Sequence, residues 1–233
     1  MVKFAKKLKT KFKKIIGLQM EIRPTYTCEK KWYGNSYGGF FVNPKLLNKN
    51  SIVYSFGIGE DISFDRALIE AHHCSVWGFD PTPKSIKWVN ESIVPPTFYF
   101  NPYGIGVISG MTTFYLPKVK SHVSGSVVKN KNIDDLHSIN VSLLSFLEIT
   151  EKLKHQSIDV LKIDIEGSEY EIIPTLLNSG IEIKQLLIEF HDRFVKDGRN
   201  KTNSAIKLLK MFGYEIFAVS DSSEEVSFIK INN

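Results

Sequence analysis

Two carboxylates two residues apart, Asp164 and Glu166, leave an apolar run in the stretch IDVLKIDIEGSE (158–169). A second apolar run ends in IEFHDRF and releases Glu189, His191 and Asp192 together. Adjacent carboxylates repel, so one has its pKa raised or the pair shares a cation. Either outcome suits removal of a proton from a hydroxyl. His191 offers the same chemistry, because an imidazole with a pKa of about 6.5 accepts a proton at neutral pH. The competing reading makes His191 a structural hydrogen-bond partner of Asp164 or Glu166. A divalent cation held by Asp164 with Glu166, Glu189 or Asp192 would serve as well. No single segment is dense in oxygen ligands, however, so the sequence favours a side-chain base and assigns no metal. Glu169 falls in the first turn of the next helix, where a negative charge suits the helix dipole and the role is structural.

A second set of residues is of the kind that holds a nucleoside. Phe56-Gly57-Ile58-Gly59-Glu60-Asp61 is a tight glycine turn leading into a helix, where missing side chains let a ligand approach the backbone. Asp80 follows about 20 residues later, the spacing at which an acid ending the second strand accepts hydrogen bonds from ribose hydroxyls. Together they point to an adenosine-containing ligand. Alternatively, Asp80 caps the helix that begins Pro-Thr-Pro. Asn101, ending the third strand, is a candidate neighbour of the adenine. The third glycine of the dinucleotide fingerprint is missing, which counts against pyrophosphate recognition.

These residues need a scaffold that gathers strand ends. SIVYSF (51–56), SVWGFD (75–80), TFYFN (97–101), SIDVLKID (157–164) and IKQLLIEF (183–190) read as buried strands. Helical patterns separate them: about 63–73, the segment entered through Pro83, 142–154 and 168–178, with 202–212 after the last. Such alternation predicts a parallel sheet wound on both faces, with ligands bound outside the carboxyl ends of the strands. MTTFYLP (111–117) and SGSVVK (124–129) look like extra strands on one edge. YEIFAVS and VSFIKI close the chain with no helix between them, predicting an antiparallel strand at the sheet edge. The order is that of a class I methyltransferase: a Rossmann-like, doubly wound α/β sheet, mostly parallel with an antiparallel last strand. Residues 51–233 form this domain, and the turn-rich, aromatic segment 21–50 forms an irregular cap over the domain or its site.

A chain of 233 residues buries a sizeable core without staples. Its net charge of +5 belongs to a tail. Residues 1–16, MVKFAKKLKTKFKKII, carry seven lysines and no acid, leaving 23 basic against 25 acidic residues elsewhere. A body of that balance argues against nucleic acid as a partner. Phe4, Leu8, Phe12, Ile15 and Ile16 share one face of a helical wheel. Residues 1–20 therefore read as a basic amphipathic helix that lies on an anionic membrane surface or docks on its own domain. No run approaches the ~20 apolar residues of a membrane span. Cys28 and Cys74 suggest no disulfide framework. The expected location is the cytoplasm, peripheral at the inner membrane face.

VYSFGIGEDISFD, VWGFDPTP, IDVLKIDIEGSEYEII and LLIEFH resemble the FkbM-type methyltransferase family, with LKIDIEGSE the most specific part. The resemblance implies methyl transfer from S-adenosylmethionine, usually to a hydroxyl oxygen of a sugar, polyketide or other small metabolite. It implies that Gly57, Gly59 and Asp80 contact the cofactor and that Asp164, Glu166 and His191 line the acceptor side. Such enzymes usually place an acid two residues before the first glycine, where this chain has Ser55. Many have a further glycine where it has Asp61, which leaves Glu60 or Asp61 to hold the methionine amino group. Two other functions share part of the pattern: a nicotinamide-dependent oxidoreductase, and a non-catalytic adaptor that sits on membranes through its lysine helix.

Overall fold

The computed structural model describes residues 20–117 and 133–231. The lysine-rich helix expected over 1–16 and the strand expected at 124–129 lie outside the described residues. The chain begins with two short antiparallel strands, β1 (Lys31–Tyr33) and β2 (Phe40–Val42). The alternating pattern follows as β3 (Ile52–Phe56), α1 (Ser63–His72), β4 (Ser75–Phe79), α2 (Pro83–Glu91) and β5 (Phe98–Asn101). Next come β6 (Gly104–Gly106), β7 (Gly110–Pro117), β8 (Ile133–Ser145) and α3 (Phe146–Leu153). The remainder is β9 (Ser157–Ile163), α4 (Glu169–Leu177), β10 (Glu182–Glu189), α5 (Gly198–Met211), β11 (Tyr214–Val219) and β12 (Glu225–Lys230).

Seven strands form the main sheet in the order β11-β12-β10-β9-β3-β4-β5. Strands β10, β9, β3, β4 and β5 are parallel, and β12 runs against both β10 and β11. The last strand is therefore antiparallel, but it is not at the edge. Val226, Ser227, Phe228 and Ile229 are all buried, which requires cover on both faces and a neighbour on both sides. The edge falls to β11, where the Thr25 N–H and hydroxyl engage the Ile216 backbone at 2.7 and 3.0 Å. These contacts blunt an otherwise open strand.

Strand alternation sends Tyr54, Phe56, Leu161, Ile163, Leu186 and Ile188 to one face, under α3, α4 and α5. Val53, Val160, Val76 and Leu187 go to the other, packed with α1 and with Tyr33, Phe40 and Val42. The 21–50 segment thus covers a sheet face, in large part through β1 and β2. Its anchor is Gln185, buried in β10, whose side chain accepts from Asn43 N at 2.8 Å.

The helix expected over 142–154 begins only at Phe146. Val141 to Leu144 remain extended, paired with β7 and with β6 in a three-stranded sheet. Ser145 then caps the helix by accepting from Glu148 N at 3.3 Å, a good start signal that overrides the apolar spacing upstream. Among the described residues no helix is long and apolar enough to cross a membrane.

Candidate active site

Hydrogen bonds continue past the strand ends and tie them into one edge. Gly57 N donates to Phe79 O at 2.9 Å, Asp164 N to Phe56 O at 3.1 Å and Asp80 N to Asn101 O at 3.3 Å. The glycine turn and the acids are in direct contact there: a Cβ on Gly57 would lie 1.7 Å from the Asp164 carbonyl oxygen.

Asp164 and Glu166 converge, but not by strand alternation. β9 stops at Ile163, and Glu166 and Gly167 take positive φ values of 53° and 105°. The turn folds Glu166 back, so that both carboxylates meet His191. From its Nε2, Glu166 Oε2 is 3.5 Å away, Glu189 Oε1 3.5 Å and Asp164 Oδ1 3.8 Å. Glu169 closes the far side. It is fully buried, accepts from Gly167 N at 2.9 Å and from His191 N at 2.8 Å, and stands 3.4 Å from Nδ1. It is thus a brace between the two strand ends more than a charge at a helix start. Asp192 stands outside this cluster. Burial disfavours the charged ring of His191, but Glu169, Glu166 and Glu189 outweigh it and raise the pKa to about 10. Burial, with Asp164 next, pushes Glu189 up to about 8. A protonated ring has no lone pair to offer, so in this arrangement the carboxylates are the better proton acceptors.

Two charged residues escaped the sequence reading. Lys162 is buried in β9, its ammonium 3.2 Å from Gly57 O and 3.3 Å from Asp164 Oδ2. Burial pulls its pKa down, yet Asp164, Asp65 and Glu189 keep it above the ordinary value. Asp65, buried on α1, is pushed up to about 6 by burial, with Lys162 pulling the other way. Lys162 thereby joins the glycine turn to the acid strand from below.

On the nucleoside side, Gly59 has φ +55° and nothing within 4 Å of where a Cβ would point, so its backbone is open to a ligand. Asp80 accepts from Gly59 N at 3.0 Å through Oδ2, and from Thr82 N and Oγ1 at 2.9 and 2.6 Å through Oδ1. Thr82, not Asp80, caps α2. Beside the Gly59 bond, Oδ2, as a carboxylate oxygen, retains a second acceptor direction. The Asp61 carboxylate is engaged by Asn35 Nδ2 at 2.6 Å and by Ser63 N at 2.8 Å, while Glu60 pairs with Lys84 at 3.0 Å. Asn101 accepts from the Tyr103 hydroxyl at 3.0 Å. His72 and His155 share hydrogen bonds with the Tyr33 and Tyr54 hydroxyls at 2.7 and 2.8 Å.

The pattern of the Methyltransferase FkbM domain matches residues 25–216. The chain belongs to the FkbM methyltransferase family. That membership and the strand order identify the fold as class I and the cofactor of this FkbM chain as S-adenosylmethionine. The open backbone at Gly59, with Asp80 at the next strand end, fits an adenosyl group. No curated protein matches the chain in sequence. Among solved structures, the Methanococcus jannaschii fibrillarin pre-rRNA processing protein is similar at 10% identity and a TM-score of 0.45, over 90% of this chain and 85% of that one. Aeropyrum pernix fibrillarin with natively bound S-adenosyl-L-methionine is similar at 11% identity and a TM-score of 0.43, over 80% and 68%. Methanococcus jannaschii TYW2 with AdoMet gives 8% and 0.38, over 91% and 90%.

A cleft of about 500 Å³ opens between β6–β7 and the start of α4. Ile105, Ile108, Met111 and Leu143 line its apolar side, and Ser168 and Glu171 its polar side. Ser168 follows directly on the Glu166-Gly167 turn.

Proposed function

We propose that this FkbM-family chain methylates a hydroxyl oxygen of a sugar, a glycan or another small metabolite. The observation that carries the reading is the shared edge, where the glycine turn and the Asp164 backbone touch. When bound, S-adenosylmethionine supplies an activated methyl: the oxygen–carbon bond forms as the carbon–sulfur bond breaks, and the electron pair stays on sulfur. Gly57 and Gly59 admit the adenosyl group to the backbone, Asp80 Oδ2 accepts from a ribose hydroxyl, and Asn101 stands at the adenine. Asp164 and Glu166 take the proton of the acceptor hydroxyl. His191, braced by Glu169, holds those carboxylates in place. Positioning supplies much of the rate, since the sulfonium needs no further activation.

Calorimetry with S-adenosylhomocysteine and with NAD tests the cofactor; binding of NAD alone would end this reading. Asp80→Ala is expected to weaken S-adenosylhomocysteine at least tenfold. Asp164→Asn is expected to bind it normally and slow methyl transfer by about 10²–10⁴, in a screen of labelled S-adenosylmethionine against glycans and glycolipids. Equal turnover in Asp164→Asn and the parent chain would remove Asp164 from the chemistry.

The lysine-rich segment 1–16 supports a cytoplasmic enzyme held at an anionic inner-membrane face, close to a lipid-linked acceptor. Its deletion is expected to abolish sedimentation with anionic liposomes. Sedimentation that survives the deletion would refute the anchor.

A further inference from the structure

One ligand atom from each of Asp164, Glu166 and His191 lies within 4.8 Å of the other two. The His191 Nε2 gaps, 3.5 Å to Glu166 and 3.8 Å to Asp164, exceed the ~2.7–3.2 Å of an N–H···O hydrogen bond. They approach the roughly 3–3.5 Å between atoms that share one divalent ion at about 2.1 Å. Acids gathered at a sheet edge would carry no conclusion by themselves. His191 adds an independent one. It is 2% exposed, its Nδ1 makes no hydrogen bond, and its Nε2 is aimed at both acids. Behind it, Glu169 fixes the backbone N–H at 2.8 Å and stands 3.4 Å from Nδ1. A buried carboxylate on the far nitrogen is the arrangement that orients metal-ligating imidazoles, and a bound ion takes the place of the Nε2 proton.

We infer that Asp164, Glu166 and His191 form a divalent-cation site on the acceptor side of the methyl-transfer edge, with Glu169 as its positioning residue. The set of one imidazole and two carboxylates suits Mn²⁺, Mg²⁺ or Zn²⁺. The role of the ion rests on the proposed methyl transfer. It lowers the pKa of the acceptor hydroxyl, and with Asp164 and Glu166 engaged by the ion the proton leaves to water, in place of those carboxylates, as the oxygen attacks the methyl carbon. The sequence favours a base over a cation shared by Asp164 with Glu166, Glu189 or Asp192, because no one segment is dense in oxygen ligands. The three ligands come from two segments, at the ends of β9 and β10.

Manganese titration of the metal-stripped full chain, followed by the loss of the free-ion paramagnetic resonance signal, tests the site. One equivalent is expected to bind. Asp164→Asn and His191→Gln are each expected to weaken binding at least tenfold, and Glu169→Gln by about 10–100-fold. Glu182→Gln, at the opposite end of β10, is expected to change nothing. If His191→Gln does not fold, as judged by circular dichroism, Glu166→Gln carries the same test. No saturable binding, or unchanged affinity in the folded ligand variants, overturns the site. S-adenosylhomocysteine binding is read on the same samples. A chain that binds it without manganese loses the cation site alone, and one that binds manganese alone loses the methyltransferase reading.

Discussion

Lys162→Met is expected to cost about 3–5 kcal/mol of folding stability, the usual penalty for removing one partner of a buried ion pair. The lysine is 4% exposed and touches Gly57 O and Asp164 Oδ2, while Asp65, 2% exposed, faces it from α1. Without the ammonium, Asp65 is a buried acid with no compensating cation. The pH dependence provides a second check. Burial already lifts Asp65 from 3.8 to about 6, with Lys162 opposing, so removing Lys162 lifts it further. An acid raised in the folded state stabilises fully only below its unfolded pKa, and that contribution is lost as pH rises through the folded pKa. The parent chain therefore loses this contribution between about pH 4 and pH 6, and the variant goes on losing it above pH 6. The deficit, read from urea midpoints, should be larger at pH 8 than at pH 5, and Asp65→Asn in the same background should recover part of it. A deficit below ~1 kcal/mol, or one equal at both pH values, would mean that Lys162 compensates no buried acid.

The same residue shows where sequence reading stops. The five parallel strands are legible because each is a short apolar run between turn signals, and the carboxyl ends of parallel strands necessarily share one edge. That is enough to bring Asp164, Glu166 and His191 together without knowing any contact. Their actual meeting depends on Glu166 at φ 53° ahead of a glycine, a backbone state that alternation cannot express. A single lysine in LKID reads as an outward position, and only the approach of Asp65 from α1 reveals that it is buried. The hydrogen bonds of His72 and His155 are hidden for the same reason: their tyrosine partners lie 39 and 101 residues away in the chain. The place of β12 is long-range as well. A missing helix says that the strand turns back, but not that it slips between β10 and β11.

Gly57→Ala and Gly59→Ala are expected to fail in different ways, and the contrast separates the cofactor reading from a purely structural turn. Both glycines have positive φ, +78° and +55°, so each substitution carries a backbone strain of about 1–2 kcal/mol. At Gly57 the new methyl would also lie 1.7 Å from the Asp164 carbonyl oxygen. That distance is well inside contact, and the other atom is backbone, so β3 and β9 must part at the edge that positions the acids. Gly57→Ala should lose about 3 kcal/mol or more and most methyl transfer with it. At Gly59 the methyl meets nothing within 4 Å, so the strain is the only structural cost. The methyl does occupy the space through which a ligand would reach the backbone. Gly59→Ala should keep its fold and weaken S-adenosylhomocysteine at least tenfold, which is about 1.4 kcal/mol of binding. If Gly59→Ala bound the nucleoside as tightly as the parent chain, the open space beside Gly59 would not be the adenosyl site, and the assignment of Asp80 to the ribose would go with it.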